Sequence, residues 1–321
     1  MTTTEHKLPK RRHKGLRLDP TPGKVRYSGR WLGALAAGGL LAGLGVLAGG
    51  WPAAAALGVA GGAGLAYAFF YEPRQPRLEH ITLHIPDLPP ALDGLRIGQI
   101  SDMHLGMRYT LENSLWAAHQ MALQQPDLLV LTGDFVSYEE AISQLPAVLR
   151  ELPQAPLGCF AVAGNHDYWE GIETIQAALE AAGIRLLINQ HALVTAHGEQ
   201  MLIAGLDDLW DGRPDMGRTL AGAPQAPLRL LLAHCPDHAD EACEHQFDLQ
   251  LSGHTHGGHI HLPTLGSFCL PRHGWRYAIG HYQVGPTQLY VSRGIGGMPL
   301  RFGCPPEATI FTLRAGRGGG K

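Results

Sequence analysis

Five short, mostly apolar runs, each ending directly in carboxylate, amide or imidazole side chains, constrain the fold of this chain more than any other feature. Apolar runs of this length indicate strands that are buried on both faces. Polar side chains on loops at strand ends, held by a rigid scaffold, are typical of a functional site. The runs cover 95–101, 127–132, 159–163, 228–233 and 247–252, and they lead into Asp102-Met103-His104, Gly133-Asp134, Gly164-Asn165-His166-Asp167, His234 and Gly253-His254-Thr255-His256-Gly257-Gly258-His259.

The last of these segments has two interpretations when it is considered alone. Imidazole nitrogen suits zinc, iron and similar divalent ions, and the flanking glycines allow the backbone to approach a ligand closely. The other interpretation is a polar loop that happens to be rich in histidine. Because four further strand ends also carry ligand chemistry, we interpret the five segments together as one metal site.

The remaining pattern predicts an α/β (α+β) domain over residues 78–314. Apolar residues at Leu111, Leu115, Ala118 and Ala122 predict a helix over 110–124. Strands alternate with helices early in this region and dominate late, which favours two mixed β-sheets packed face to face with helices outside, a four-layer αββα sandwich. Further helices are predicted over 141–152, 171–182 and 236–243, and further strands over 79–85, 184–188, 201–206, 290–291 and 309–313.

A long uncharged segment precedes this domain. Residues 31–71 contain no charged side chain, and one membrane span takes about 20 residues, so the run predicts a transmembrane helical hairpin over 31–72 with a turn at 49–52. Tryptophan and tyrosine near the ends of the run suit the membrane interface. The alternative is a buried Gly/Ala-rich helical pair or a flexible linker.

Charge and cysteine usage suggest where the chain resides. Residues 1–30 hold nine Lys or Arg against two acidic residues, although the whole chain carries a net charge of −3. We interpret 1–30 as a basic disordered segment that stays in the cytoplasm, so that two spans return the domain to the cytoplasmic side of the cell (inner) membrane; a single span would place it outside. The five cysteines include no CxxC pair and are expected to be reduced thiols. Residues 315–321 are expected to form a flexible tail.

The five motifs, in this order, resemble the calcineurin-like metallophosphoesterase superfamily. The segments Gly253–Ile260, Leu262-Pro263, Pro271-Arg272, Leu289–Gly294 and Pro305-Pro306-Glu307 are similar to its membrane-associated bacterial branch, the YkuE/YaeI-like proteins. The resemblance covers about residues 78–314 and implies a dimetal phosphohydrolase of the four-layer fold. Two neighbouring cations bind the phosphate oxygens of such a substrate, stabilise the attacking and leaving groups and generate hydroxide from water near neutral pH.

The resemblance also implies a role for each motif residue. The first ion would be bound by Asp102, His104, Asp134 and His256, and the second by Asp134, Asn165, His234 and His254, so that Asp134 bridges both. His166 would protonate the leaving oxygen, and Asp167 would accept the other ring proton and fix the tautomer. Imidazole and carboxylate ligands bind manganese, iron or zinc. We expect two divalent ions, and among these metals we expect Mn²⁺ before iron or zinc.

Several assignments stay open at this stage. His259 stands where the branch usually has Gln, and it would either contact phosphate or metal or cap its loop. Arg272, Arg293 and Arg301 could equally bind phosphate or form structural ion pairs. The expected partners are a membrane bilayer and a phosphate ester, which a tethered enzyme could meet in lipid-linked form. The alternatives are a non-catalytic metal-binding membrane scaffold and a nuclease of the same fold. We expect no nucleic-acid partner, because no dense basic stripe with interleaved aromatics follows residue 30.

Overall fold

Two six-stranded sheets form the centre of the protein in the computed structural model, which describes residues 50–316. The first sheet is parallel except for the antiparallel pairing of its second and third strands. Its strands, in spatial order, are β1 (Arg77–Pro86), β14 (Glu307–Gly316), β2 (Arg96–Ile100), β3 (Leu128–Thr132), β4 (Cys159–Val162) and β5 (Ile184–Leu186).

The second sheet is also mixed. Its four central strands are parallel, and the strand at each edge pairs antiparallel with its neighbour. In spatial order the strands are β12 (Gly280–Val284), β13 (Thr287–Val291), β9 (Leu249–Ser252), β8 (Leu228–Leu232), β7 (Glu199–Gly205) and β6 (Gln190–Ala196). A small separate hairpin joins β10 (His261–Leu262) to β11 (Gly266–Ser267).

Helices cover the outer face of each sheet. On the first sheet these are α2 (Thr110–Gln124), α3 (Leu145–Leu149) and α5 (Ile172–Ala181), and on the second α6 (Met216–Leu220) and α7 (Ala239–Glu244). A further short helix, α4 (Asn165–Glu170), follows β4. Turns of 3₁₀ helix lie at Pro90–Leu92, Glu139–Gln144, Pro236–His238 and His256–Gly258.

The central strands are buried on both faces, which explains their continuous apolar runs. In β3, Leu128 and Val130 pack between the two sheets, while Leu129 and Leu131 pack beneath the helices. The central strands of the second sheet show the same alternation between the two cores. Adjacent residues of one strand therefore belong to different cores, and the order of layers is helices, sheet, sheet, helices.

The predicted elements are largely present, with instructive exceptions. The helix predicted over 110–124 is α2, whereas the helix predicted over 141–152 is a 3₁₀ turn followed by the short α3, with Pro146 in its first turn. Edge strand β6 was not predicted, because most of its side chains are partly or fully exposed and it has no apolar run. Also not predicted were α4, α6, β10, β11 and β12.

One long apolar helix, α1 (Gly50–Arg74), precedes the sheets. Its most apolar window has a mean hydropathy of 1.6 and is 6% buried, so its length and composition would suit a membrane span, as they would a signal sequence. It coincides with the second half of the predicted hairpin. The first half of the hairpin, the basic segment 1–30 and residues 317–321 of the predicted tail lie outside the described residues. The first two residues of that tail, 315 and 316, belong to strand β14 instead.

The last turns of α1 are fastened to the domain through a loop near the carboxyl end of the chain. The Arg301 backbone N–H donates to the Ala68 carbonyl at 2.9 Å. The buried Glu72 carboxylate accepts hydrogen bonds from the backbone N–H groups of Gly303 (3.1 Å) and Cys304 (2.8 Å). The end of α1 is therefore fixed relative to this loop.

Candidate metal centre

Six of the seven side chains predicted as ligands lie together in one buried site, and the seventh, Asn165, is buried at the start of α4, where the next residue, His166, donates its backbone N–H to Asp134. Asp102, Asp134 and Asn165 follow strands β2, β3 and β4 of the first sheet within a few residues. His104 also follows β2, whereas His234 follows β8 and both His254 and His256 follow β9 of the second sheet. Because these strands are parallel within each sheet, their carboxyl ends meet at one edge, where the two sheets bring the motifs together. All seven are at most 8% exposed; they are Asp102, His104, Asp134, Asn165, His234, His254 and His256.

The first group of donor atoms comes from both sheets. His256 Nε2 lies 3.1 Å from His104 Nε2 and 3.5 Å from Asp102 Oδ1, and His104 Nε2 lies 3.9 Å from the same carboxylate oxygen. Two ligands of one ion with bonds of about 2.0–2.2 Å lie roughly 3.0–4.4 Å apart, depending on the angle between the bonds. The spacing of these three atoms therefore fits one metal ion.

A second group lies beside the first. His254 Nδ1 is 3.1 Å from His234 Nε2, and the two rings form a cluster with Asp134. The Asn165 side-chain oxygen is buried and has no hydrogen-bond partner among the described residues. An unpartnered buried oxygen is costly unless something binds it, and an ion at this position would provide the missing partner.

The Asp134 carboxylate joins the two groups. Its Oδ2 atom lies 3.4 Å from His104 Nε2 in the first group and 3.3 Å from His234 Nε2 in the second. Its other oxygen accepts a hydrogen bond from the His166 backbone N–H at 2.9 Å. One anionic oxygen is thus within ligand spacing of both groups, as a pair of closely spaced cations requires.

The outer nitrogens of three histidines are held by acceptors. The Nδ1 atoms of His104 and His234 contact the Ser137 hydroxyl (2.9 Å) and the Thr132 carbonyl (2.7 Å), and Nε2 of His254 contacts the Arg272 carbonyl (2.6 Å). A ring that donates its outer N–H directs the lone pair of the other nitrogen inward. These contacts therefore orient all three rings for metal binding.

His256 is held differently. Its Nδ1 lies 3.2 Å from Nη2 of Arg301, a fully buried residue whose guanidinium also donates to the carbonyls of His256, Arg293, Gly296 and Cys304. Burial lowers the pKa of His256 well below its usual range, and the neighbouring His259, His104 and Arg301 lower it further. The ring is consequently neutral, which is the form that binds metal.

Buried carboxylates govern the protonation of His234. Burial lowers the pKa of His234, but the carboxylates of Asp134, Asp102 and Asp208 raise it more, so it lies well above the usual value. The charge of His234 in turn helps to hold the pKa of Asp134 well below its ordinary range, against the effect of burial. A proton on His234 therefore supplies positive charge where a metal ion would supply it.

The site also concentrates backbone strain. Five of its seven ligand-type residues have a positive φ between 46° and 74°, a region that non-glycine residues rarely adopt. Such strain persists only where the surroundings enforce it, and it clusters at functional sites. The five are Asp102, His104, Asp134, His254 and His256.

Two glycines allow the motifs to approach one another. A Cβ on Gly253 would lie 1.9 Å from Ser101 Oγ and 2.2 Å from Asp102 Oδ2, and one on Gly164 would lie 2.3 Å from Asp134 Oδ1. Any side chain at either position would displace a carboxylate of the site. The sequence requirement for glycine beside these ligands is therefore steric.

His166 lies at the edge of the site with its ring available. The ring contacts those of His104 (4.6 Å between centroids) and Trp169 (4.5 Å), and its Nδ1 atom has no hydrogen-bond partner within residues 50–316. Burial lowers its pKa, so the free ring is neutral near pH 7. This placement suits a group that faces the substrate.

The predicted role of Asp167 as the partner of the His166 ring is wrong. Its carboxylate points the other way and accepts the backbone N–H groups of Asp134 (2.9 Å), Phe135 (2.8 Å) and Gly164 (2.8 Å). These bonds join the loop after β3 to the loop after β4. Burial and the charge of Asp134 raise the pKa of Asp167 to about 8, while the backbone donors oppose that shift. Asp167 is therefore a positioning residue for Asp134.

Sequence reasoning did not find the aromatic wall formed by Trp169 and Trp210. The indole of Trp169 contacts His166 on one side and Trp210 at 5.6 Å on the other, and Trp210 lies 6.0 Å from the His254 ring. Trp169 is 42% exposed, and its Nε1–H donates to the Asp211 carboxylate. A fixed, half-exposed indole beside His166 offers a flat apolar surface to a substrate group. The only sequence signal was Trp169 within three residues of a motif histidine.

The residues left open by the sequence have structural positions. His259 stacks on His256 at 4.9 Å and contacts the Leu300 carbonyl, which agrees with loop capping. Arg293 forms ion pairs with Glu79 and Glu307, and the Arg272 carbonyl contacts His254. No disulfide bond joins the cysteines within residues 50–316; they are Cys159, Cys235, Cys243, Cys269 and Cys304.

Comparison with known proteins identifies relatives of the same kind. Residues 95–258 match the family described as calcineurin-like phosphoesterase. The chain is 38% identical over 270 residues to the uncharacterized metallophosphoesterase YkuE of Bacillus subtilis, which covers 82% of this chain and 94% of that protein. It is 37% identical to the phosphodiesterase YaeI of Escherichia coli, over 59% of this chain and 71% of the relative.

One vertebrate relative is named as a transmembrane protein. The chain is 30% identical to a transmembrane protein with metallophosphoesterase domain from Danio rerio, over 77% of this chain and 60% of that protein. Among solved structures, the protein TT1561 of Thermus thermophilus is similar over 63% of this chain and 90% of its own, with 16% identity and a TM-score of 0.44.

Proposed function

The chain belongs to the calcineurin-like phosphoesterase family and is a metal-dependent phosphoesterase, and we propose that it is a membrane-anchored dimetal phosphohydrolase that cleaves phosphoester or pyrophosphate bonds. The observation that carries the two-ion assignment is the position of Asp134 Oδ2, 3.4 Å from His104 Nε2 and 3.3 Å from His234 Nε2. Each of the two groups supplies three donors within ligand spacing on its own, which supports one ion at each group.

The proposed ligand sets follow from these groups. Asp102, His104 and His256 would hold one ion, and Asn165, His234 and His254 the other, with Asp134 shared between them. When bound, two such ions would provide positive charge for the phosphoryl oxygens and lower the pKa of a water molecule. The ligand set carries two carboxylates, so a site loaded with two divalent ions would keep net positive charge and attract a phosphate group. We expect Mn²⁺ to support activity, with iron or zinc as the other ions that this donor set accepts.

Three residues beside the proposed ligands would have separate roles in ester cleavage. His166 faces the site beside His104, and we assign it to transfer a proton to the departing oxygen. The Asp167 carboxylate fixes the backbone of Asp134 and so holds the shared ligand in place. Trp169, whose indole contacts the His166 ring, would contact an apolar surface of the leaving group.

Membrane attachment is the second part of the proposal. Helix α1 is long and apolar enough to span a bilayer, and the segment before it contains no charge back to Arg30. The Danio rerio relative is described as a transmembrane protein, and the Escherichia coli relative as a phosphodiesterase. A phosphodiesterase held at a bilayer would meet phosphodiesters of amphiphilic or lipid-linked molecules, and we propose these as the substrate class.

Turnover of bis-(p-nitrophenyl) phosphate by the detergent-purified full chain with added Mn²⁺ tests the enzymatic proposal. Asp134→Asn should lower turnover about 100- to 1,000-fold, because the ions contribute several kcal/mol of transition-state stabilisation. Asp240→Asn, which changes an exposed carboxylate on α7 in the same way, should leave it unchanged. Two bound ions without turnover of any phosphate ester would instead indicate a metal-binding scaffold.

Protease treatment of intact spheroplasts tests the proposed topology. If two spans precede the domain, the region after residue 77 lies in the cytoplasm and is protected from externally added protease until the membrane is permeabilised. Digestion from outside would show that one segment spans the membrane and that the domain faces the other side.

A further inference from the structure

A cavity of about 620 Å³ lies where α1 meets the domain, outside the metal centre. This volume falls within the range of small-molecule binding sites. The Asn113 side chain, which also lines the cavity, donates hydrogen bonds to the Pro73 carbonyl (2.8 Å) and to the Ile295 carbonyl (3.2 Å), so the end of α1 and helix α2 are joined there. The lining residues are Arg74, Gln75, Pro76, Arg108, Tyr109, Glu112, Asn113 and Trp116.

Two guanidinium groups in this cavity are positioned by aromatic rings rather than by carboxylates. Arg108 lies over the rings of Phe70 (5.2 Å) and Tyr109 (4.7 Å), and Arg74 lies over Tyr109 at 5.5 Å. Neither forms an ion pair with any carboxylate of residues 50–316. With Glu112 also in the lining, the charged side chains of the cavity carry a net charge of +1.

The cavity lies at a defined depth relative to the apolar helix. Four aromatic residues that are 39–55% exposed occupy positions 67, 69, 70 and 71 of α1, as is typical of a membrane–water interface. Arg74 follows Tyr71 by three residues, or about 5 Å along the axis. Arg108 leans back onto Phe70. Both cations would therefore lie at the level of lipid headgroups.

We propose that this cavity binds the phosphate of an anionic phospholipid, with Arg74 and Arg108 as its two donors. A headgroup with one negative charge, such as phosphatidylglycerol, matches the +1 lining, and guanidinium groups recognise phosphate oxygens well. The acyl chains of such a lipid would continue along the exposed aromatic face of α1. The inference depends on insertion of α1 in the membrane, which is part of the proposed function, but it does not depend on the phosphoesterase reaction.

Binding of short-chain lipids to the full chain in detergent tests this site. The protein is treated with EDTA, so that no metal-dependent turnover occurs, and is titrated calorimetrically with dioctanoyl phosphatidylglycerol, dioctanoyl phosphatidylcholine and inorganic phosphate. We expect clear preference for phosphatidylglycerol. A basic side chain near an anionic lipid contributes enough to strengthen binding about fivefold, so Arg74→Gln with Arg108→Gln should weaken binding about 25-fold.

Control variants separate the specific site from general charge effects. Arg218→Gln removes an exposed arginine of α6, on the opposite helical layer, and should leave lipid binding unchanged. Arg108→Lys keeps the charge but loses the planar group that stacks on Phe70, and should give an intermediate affinity. Turnover with Mn²⁺ should be the same in all these variants and the parent protein, which confirms that each folds and keeps the loss of lipid binding distinct from failure of the phosphoesterase.

Three outcomes would overturn the proposal. Equal binding of phosphatidylglycerol and phosphatidylcholine would show that the site does not distinguish an anionic headgroup from a neutral one. Equal binding of inorganic phosphate and phosphatidylglycerol would identify a free-phosphate site instead. Unchanged phosphatidylglycerol affinity in the doubly substituted protein, with normal turnover, would show that the lipid binds elsewhere.

Discussion

Replacement of His254 by alanine provides a direct test of the second ion site that does not require knowledge of the substrate. In the structure, His254 Nδ1 lies 3.1 Å from His234 Nε2, and its Nε2 is held by the Arg272 carbonyl. The variant removes one of four proposed donors to the second ion and none of the donors to the first. It should therefore convert a protein that binds two ions into one that binds a single ion at moderate metal concentrations.

The expected size of the effect follows from linkage between binding and folding. An ion present at 100 times its dissociation constant stabilises the folded state by about 2.7 kcal/mol, so two ions contribute about 5.4 kcal/mol. For a domain of this size, 1 kcal/mol corresponds to about 2–4 °C in Tm. Mn²⁺ should thus raise the Tm of the metal-free parent protein by about 11–22 °C, and that of His254→Ala by about half as much.

The assay is differential scanning calorimetry of the full chain in detergent, after EDTA treatment and after readdition of Mn²⁺, with metal content measured by mass spectrometry. His259→Ala is the matched control, because this histidine belongs to the same loop and is equally buried, but lies outside both donor groups. It should lower the baseline Tm while keeping two ions and the full metal-dependent increase. Two ions in His254→Ala, or one in His259→Ala, would refute the ligand assignment.

Further predictions concern catalysis, pH and substrate preference. His166→Ala should lower kcat about 100- to 10,000-fold while metal content stays at two, since its ring contacts the site without being a proposed ligand; turnover within threefold of the parent would contradict this role. Because carboxylates raise the pKa of His234 above its usual value, metal binding must displace its proton, and the apparent Mn²⁺ affinity should fall about tenfold per unit as pH decreases below that pKa. Calorimetry in buffers of different ionisation enthalpy should detect the released proton, and its absence would contradict the assignment. Trp169→Leu should raise KM for aryl phosphodiesters about 2- to 12-fold and Trp169→Phe much less, because aromatic contacts contribute about 0.5–1.5 kcal/mol; equal effects on an alkyl diester would show that stacking is not involved.

The five segments that carry the candidate ligands could be predicted from the sequence because two local signals coincide at each of them, whereas the choice of seven ligands within these segments followed from the family resemblance. A buried strand fixes where the chain stops being apolar, and the next residues carry the donor atoms. Parallel pairing then brings the ends of β2, β3 and β4 to one edge without further information. The sequence therefore predicts that these segments lie close together, and the structure adds the distances between individual donor atoms.

Side-chain directions could not be obtained in this way. Asp167 is adjacent to His166 in sequence, yet α4 turns its carboxylate toward three backbone N–H groups and away from the ring. Ser137 contacts His104 from 33 positions away in the sequence, and Arg301 contacts His256 from 45 positions away. No local sequence pattern predicts contacts over such separations. The return of β14 to lie between β1 and β2 is equally non-local, because it pairs strands from opposite ends of the domain.

The hydrogen bonds between α1 and the loop behind His256 matter for how a water-soluble version of the enzyme should be prepared. A fragment starting at Arg77 would lack the Ala68 carbonyl and the Glu72 carboxylate, leaving the backbone N–H groups of Arg301, Gly303 and Cys304 without their acceptors. Each unmatched donor costs about 1–3 kcal/mol if it stays buried. Shortened preparations would therefore loosen the segment that supports a metal-binding ring, and weak activity in them would reflect the cut rather than the native enzyme.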